Sequence, residues 1–159
     1  MGARAETLAK QFETKAAEVT TTLGKLTDAD WKKVTAAEKW SVGVTAHHLA
    51  GAHEPISGIV KTVAGGQSLP HFTMDMLNES NAKHAREFAS CTKAETLALH
   101  QKGVAAAAAV VRGLSDAELD RSGTVLAGNP AMTAQQVIEG ILINHIDDHL
   151  GSIRKTVGG

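Results

Sequence analysis

Aromatic residues are nearly missing from this 159-residue chain, which has two Trp, three Phe and no Tyr. A stacking platform for single-stranded nucleic acid needs several such rings, so that function is excluded at the outset. Cysteine occurs once, at Cys91, which excludes an internal disulfide framework and any cysteine-rich zinc module. No excess of one charge exists either. Sixteen basic and seventeen acidic residues leave a net charge of −1, too little to attract nucleic acid or an anionic membrane. The longest wholly apolar run is Val104 to Val111, far short of the roughly 20 residues that span a bilayer. Residues Met1–Glu6 hold no apolar export segment, and Glu6 stands where a myristoylation signal has Ser or Thr. The expected location is the cytoplasm. Proline is scarce, at three, and alanine is abundant, a balance that favours helix.

The apolar pattern is helical nearly throughout, with no sign of strands. Leu8, Phe12, Ala16, Val19, Leu23 and Leu26 recur at three- and four-residue steps and predict a first amphipathic helix. Turn and capping residues follow at Leu26–Asp30, then a polar connection as far as Trp40. Ser41 is the expected N-cap of a second helix reaching about Val63, kinked at Pro55 and stopped by Gly65-Gly66. A third helix is predicted from Thr73 to Ala89, with Met74 and Met76 as core and rim. The boxes Thr92–Glu95, Ser115–Glu118 and Thr133–Gln136 open a fourth helix to about Gly113, a short helical turn, and a last long helix to about Lys155. Residues 121–131 read as irregular. Leu26–Asp30 and Leu114–Glu118 echo one another, each after a long helix. The expectation is one all-α domain, residues 1–159, built as a four-helix bundle.

Eight histidines stand at 47, 48, 53, 71, 84, 100, 145 and 149. On the last helix Ile138, Leu142, His145, His149 and Ile153 form one stripe, so both imidazoles should face the bundle interior one turn apart. On the second helix Val44, His48, Ala52, Ile56, Ile59 and Val63 form another. His47 falls instead on a face with Gly51, Glu54 and Lys61. Unpartnered buried imidazoles cost a few kcal/mol each at order of magnitude. Either a shared divalent metal or separate local hydrogen bonds must offset that cost.

Three segments carry a likeness. Trp40-Ser41 followed by Ala46-His47-His48-Leu49-Ala50, the run Asn144-His145-Ile146-Asp147-Asp148-His149-Leu150-Gly151-Ser152-Ile153-Arg154, and Leu114–Asp120 before it resemble the DinB/YfiT-like metalloenzyme family. The likeness spans about residues 20–156. It implies an up-down-down-up bundle and a metal, often zinc or nickel, held by His48, His145 and His149. His47, beside the expected ligand, would take its place on a rotated helix. The family includes members that transfer low-molecular-weight thiols such as bacillithiol or mycothiol, and a mycothiol-dependent maleylpyruvate isomerase.

A three-histidine site leaves a position open for water or substrate. The expectation is therefore a metal-dependent thiol transferase or hydrolase acting on a small molecule, with a low-molecular-weight thiol as possible co-substrate. No general base is assigned. The alternative is a non-catalytic helical bundle, a stress-associated dimer with a structural metal or none. A homodimer is compatible with either reading. Asp147 and Asp148 either orient an imidazole or form a solvated face. Asn81 either lines a pocket or bonds a neighbouring helix, and Glu54 is expected in solvent. Cys91 beside the Thr92 cap is either an activated thiolate or an inert thiol.

Overall fold

The first apolar stripe becomes helix α1, Ala3–Gly24, in a computed structural model that describes residues 2–158. It buries Leu8, Phe12, Ala16, Val19 and Leu23. A single-turn helix α2, Asp28–Lys32, follows, opened by the Thr27 hydroxyl accepting from the Asp30 N–H while Asp30 accepts from the Thr27 N–H. The Ser115/Glu118 box does the same for α7, Asp116–Asp120. The two echoed pentapeptides therefore fold alike.

The second predicted helix is two helices, α3 Val42–Gly51 and α4 His53–Ala64. The break falls at Ala52, three residues before Pro55. Proline thereby occupies the first turn of α4, where its missing N–H has no intrahelical acceptor to lose. Helix α5, Met74–Glu87, is followed by α6, Lys93–Arg112. After α7, the stretch read as strandless contains a minimal hairpin, β1 Ser122–Gly123 against β2 Met132–Thr133. The last helix is α8, Ala134–Val137, a π-helical segment Ile138–Ile143, and α9, Asn144–Val157.

Polar pairs between elements fix the directions. Arg112 at the end of α6 bonds Glu6 and Glu13 in the first half of α1, at 2.9 and 2.6 Å. Lys93 at the start of α6 donates to the Leu26 carbonyl just past α1, at 2.9 Å. These two helices are thus antiparallel. Lys15 pairs with Asp147 at 3.0 Å and Arg154 reaches the Thr22 hydroxyl, so α1 and α9 run in parallel. Arg121, after α7, donates to the Ala64 carbonyl at the end of α4. The order is up-down-down-up. Surface pairs of this kind contribute about 0–1 kcal/mol each. The bundle is held instead by the core of α1, α3, α4, α6 and the last helix, including Phe12, Leu49, Ile138, Leu142 and Ile153.

Two consecutive down helices require a return path outside the bundle, and α5 supplies it. Fourteen residues of helix cover about 21 Å, and none of them is buried. Met74 and Met76, expected in core and rim, are half exposed for this reason. Helices α2 and α3 pack closely where they meet. A Cβ on Gly43 would collide with the Trp31 indole, whose Nε1 is committed to the Cys91 carbonyl at 2.9 Å. Gly43→Ala is expected to cost about 1–3 kcal/mol, read as a lower thermal midpoint.

Candidate metal centre

Ser41 caps α3 by accepting from the Val44 N–H at 3.0 Å, and this start places His47 and His48 in the second turn. Adjacent residues lie about 100° apart around a helix, so the two rings face different neighbours. His48 faces α9. His47 faces α5 and is buried, 7% exposed, contrary to the expectation that it shares an outer face with Glu54 and Lys61. The break at Ala52 uncouples those residues from the face of His47, and α5 covers it. His47 Nδ1 lies 2.7 Å from His84 Nε2, and its ring stacks on Phe88 at 4.1 Å.

The last helix also departs from its stripe. The core positions past the π segment are Ile146, Leu150 and Ile153, while His145 and His149 sit half-buried at the margin. The wide turn at Ile138–Ile143 rotates the rest of the helix, moving the histidines off the core face and toward α3. Such turns recur at functional sites.

There His48, His145 and His149 converge, with one ring nitrogen from each within 4.8 Å of the others. His48 Nε2 and His145 Nε2 are 3.0 Å apart. Ring centroids are separated by 4.9, 4.8 and 4.4 Å for the pairs 48/145, 48/149 and 145/149. Trp40 stands edge-on to His48 at 5.2 Å, and His84 does so at 5.7 Å.

The hydrogen bonding of the three rings is incomplete without a further group. His145 Nδ1 is buried with no partner, and a facing pair of ring nitrogens shares only one proton. His149 alone has a carboxylate: its Nδ1–H donates to Glu38 Oε2 at 2.7 Å, leaving Nε2 with a free lone pair. Burial, then the neighbouring His149 and His84, push the His48 pKa down to about 4, and burial lowers His145 likewise. Near neutral pH both rings are uncharged, the form in which imidazole binds a metal. Three nitrogen donors, no thiolate and a half-buried position fit a divalent transition metal with an open coordination position.

Glu38 was invisible in the sequence because it lies in a polar connection, 111 residues from His149. Its side chain is only 10% exposed. Burial pushes its carboxyl up, but hydrogen bonds from Ser152, His149 and Thr35 outweigh this and hold it below the usual range. His84 likewise carries no signal in the sequence, on a helix with no buried residue.

The remaining candidates stay outside the cluster. Asp147 pairs with Lys15, and Asp148 accepts from the Asn144 side chain at 3.2 Å; both are exposed, as a solvated face requires. Glu54 is exposed and Asn81 half-buried, neither bonded to the cluster among the described residues. Cys91 is buried, donates to the Gly43 carbonyl at 3.3 Å and has its pKa raised by burial, the marks of an inert thiol.

The family model of the DinB superfamily matches residues 11–153. Among solved structures, YfiT from Bacillus subtilis, described as a probable metal-dependent hydrolase with an unusual four-helix bundle topology, superposes with a TM-score of 0.75 at 17% identity, covering 99% of this chain and 90% of YfiT. A mycothiol-dependent maleylpyruvate isomerase superposes with a TM-score of 0.72 at 14% identity, over 94% of this chain. The chain spans 60% of the isomerase's length. At such identities the shared property is the fold. No curated protein matches the sequence significantly. No helix among the described residues is long and apolar enough to cross a membrane. The model match, running over most of the sequence, settles the kinship: this chain belongs to the DinB superfamily.

Proposed function

We propose that this protein is a divalent-metal-dependent enzyme whose cation is held by His48, His145 and His149, and which transfers a low-molecular-weight thiol to a small electrophile or hydrolyses a small substrate. The observation that carries this reading is the convergence of three imidazole nitrogens within 4.8 Å from two separate helices. Zinc or nickel suits a donor set of neutral imidazoles. When bound, the cation supplies Lewis-acid chemistry, polarising a carbonyl or lowering the pKa of water or a thiol. The protein's own contribution is positional. The packing of α3 against α9 sets the spacing of the rings, and Trp40 and His84 both pack against His48. Glu38 is engaged by His149 and Ser152, so its carboxylate is not free to act as a general base. The thiol reading draws support from the isomerase's described dependence on mycothiol, and the hydrolase reading from the description of YfiT.

Protein purified without a histidine tag should contain about one equivalent of zinc or nickel. Chelation should leave the helical circular dichroism intact and abolish turnover, whether of an electrophile supplied with a thiol or of a hydrolysable substrate. Unfolding on chelation would make the metal structural, and turnover that survives chelation would contradict the reading.

A further inference from the structure

We propose that Glu38 is a positioning residue of this centre, its carboxylate fixing the ring orientation and tautomer of His149 so that Nε2 faces the cation. The inference rests on the three-histidine reading and goes beyond it to the loop between α2 and α3.

Three observations lead there. First, a nearly buried carboxylate normally has a basic partner. Among the described residues no Lys or Arg forms an ion pair with Glu38; the basic side chain that contacts it is the His149 imidazole. Both oxygens are spent on one helix face: Oε2 accepts from His149 Nδ1–H at 2.7 Å and Oε1 from the Ser152 hydroxyl at 2.5 Å. Residues three apart on a helix share a face, so α9 presents two donors to one acid.

Second, the loop that carries Glu38 is a tight, tied structure. Val34 bridges to Ser41, the Thr35 N–H donates to the Trp40 carbonyl at 2.8 Å, and the Val42 N–H to the Lys33 carbonyl at 2.7 Å. Within it Lys39 adopts φ +61°, among the described residues the one non-glycine with a positive φ. A lysine pays an energetic penalty in that conformation, and such strain persists where surrounding contacts impose it, often at functional sites. Third, the same loop sets Trp40 against His48. One short segment therefore touches a ligand on α3 and a ligand on α9.

A carboxylate behind an imidazole fixes the ring and raises its basicity toward metal. A mere staple between loop and helix would stabilise the fold without affecting the metal. Titration of metal-free protein with Co²⁺, read by its visible absorption and by competition with a chromophoric chelator, separates the two roles. Glu38→Gln keeps the volume and an oxygen that accepts from Nδ1–H, removing the charge and turning the atom that faces the Ser152 hydroxyl from acceptor to donor. It should weaken Co²⁺ binding by about 10–100-fold and shift the visible bands, with the thermal midpoint of metal-free protein little changed. Ser152→Ala, a milder change that retains the His149 bond, should weaken binding several-fold and serves if Glu38→Gln folds poorly. Unaltered affinity and spectrum in both variants, against a wild type that binds Co²⁺, would overturn this role alone. A wild type that binds no Co²⁺ would overturn the three-histidine reading and this inference together.

Discussion

His145→Ala is expected to abolish stoichiometric metal binding, lowering affinity by more than the roughly 10–100-fold that loss of an outer-shell partner costs. Alanine removes one of only three nitrogen donors. The two that remain, His48 on α3 and His149 on α9, belong to different helices, so the pair is held only by the packing between them. The same substitution should behave differently without metal. His145 carries a buried Nδ1 with no partner, an arrangement that costs about 1–3 kcal/mol, and alanine removes that cost while deleting a half-buried ring. Metal-free His145→Ala should therefore melt close to metal-free wild type. Added metal should stabilise the wild type by about 4 kcal/mol at a concentration 1,000 times its dissociation constant, and the variant hardly at all. A residue kept merely for packing would give the reverse pattern, a less stable metal-free protein and an undiminished response to metal.

Acid should destabilise the metal-free protein steeply, and a buried pair outside the three-histidine cluster should supply much of the effect. His53 on α4 and His100 on α6 are each 1% exposed. His53 Nε2 lies 3.0 Å from His100 Nδ1, and His100 Nε2–H donates to the Ala16 carbonyl at 2.9 Å. That last bond assigns the proton to His100 Nε2, so the intervening hydrogen comes from His53. Phe12 closes the site edge-on at 5.3 Å, and Gly103 leaves room for the ring. Burial, then the neighbouring His100, push the His53 pKa from 6.5 to about 3, and burial lowers His100 as well. The folded state thus binds fewer protons than the unfolded chain. The stabilisation is complete above about pH 6.5 and is lost as pH falls toward 3, at up to about 1.4 kcal/mol per pH unit for one such group. His53→Gln retains a hydrogen-bonding side chain but cannot titrate. Urea midpoints measured across pH 4.5 to 7.5 should fall less steeply for this variant than for the wild type; parallel slopes would show that the pair does not contribute.

The parts of this architecture legible in the sequence were those encoded locally. Thr92, Ser115 and Thr133 cap the helices that their boxes announce, because each box closes within four residues. The face of α1 needed only its own periodicity. What escaped depended on partners far along the chain. The sequence marks Pro55 and not the break at Ala52, because Pro55 can be accommodated in a helix's first turn, and which residue begins that turn is decided by packing. The π segment leaves no local mark: the spacing of Ile138, Leu142, His145 and His149 fits an ordinary helix, and only the competition of Ile146 and Leu150 for the core reveals the rotation. The periodicity of its own helix puts His47 on an outer face, since nothing there records that α5 returns across it. Glu38 could not be found by spacing at all. The gathering of His48 with His145 and His149 is legible partly in helical stripes and partly in family resemblance, and the stripes put the rings deeper in the core than they lie.

The proposed shared cation can be sought directly, by anomalous scattering from crystals of the protein measured on either side of the zinc or nickel absorption edge. The account predicts one strong peak about 2.0–2.2 Å from a ring nitrogen of each of His48, His145 and His149. Crystals grown with metal in excess that place the peak elsewhere, or leave those three rings without one, would contradict it.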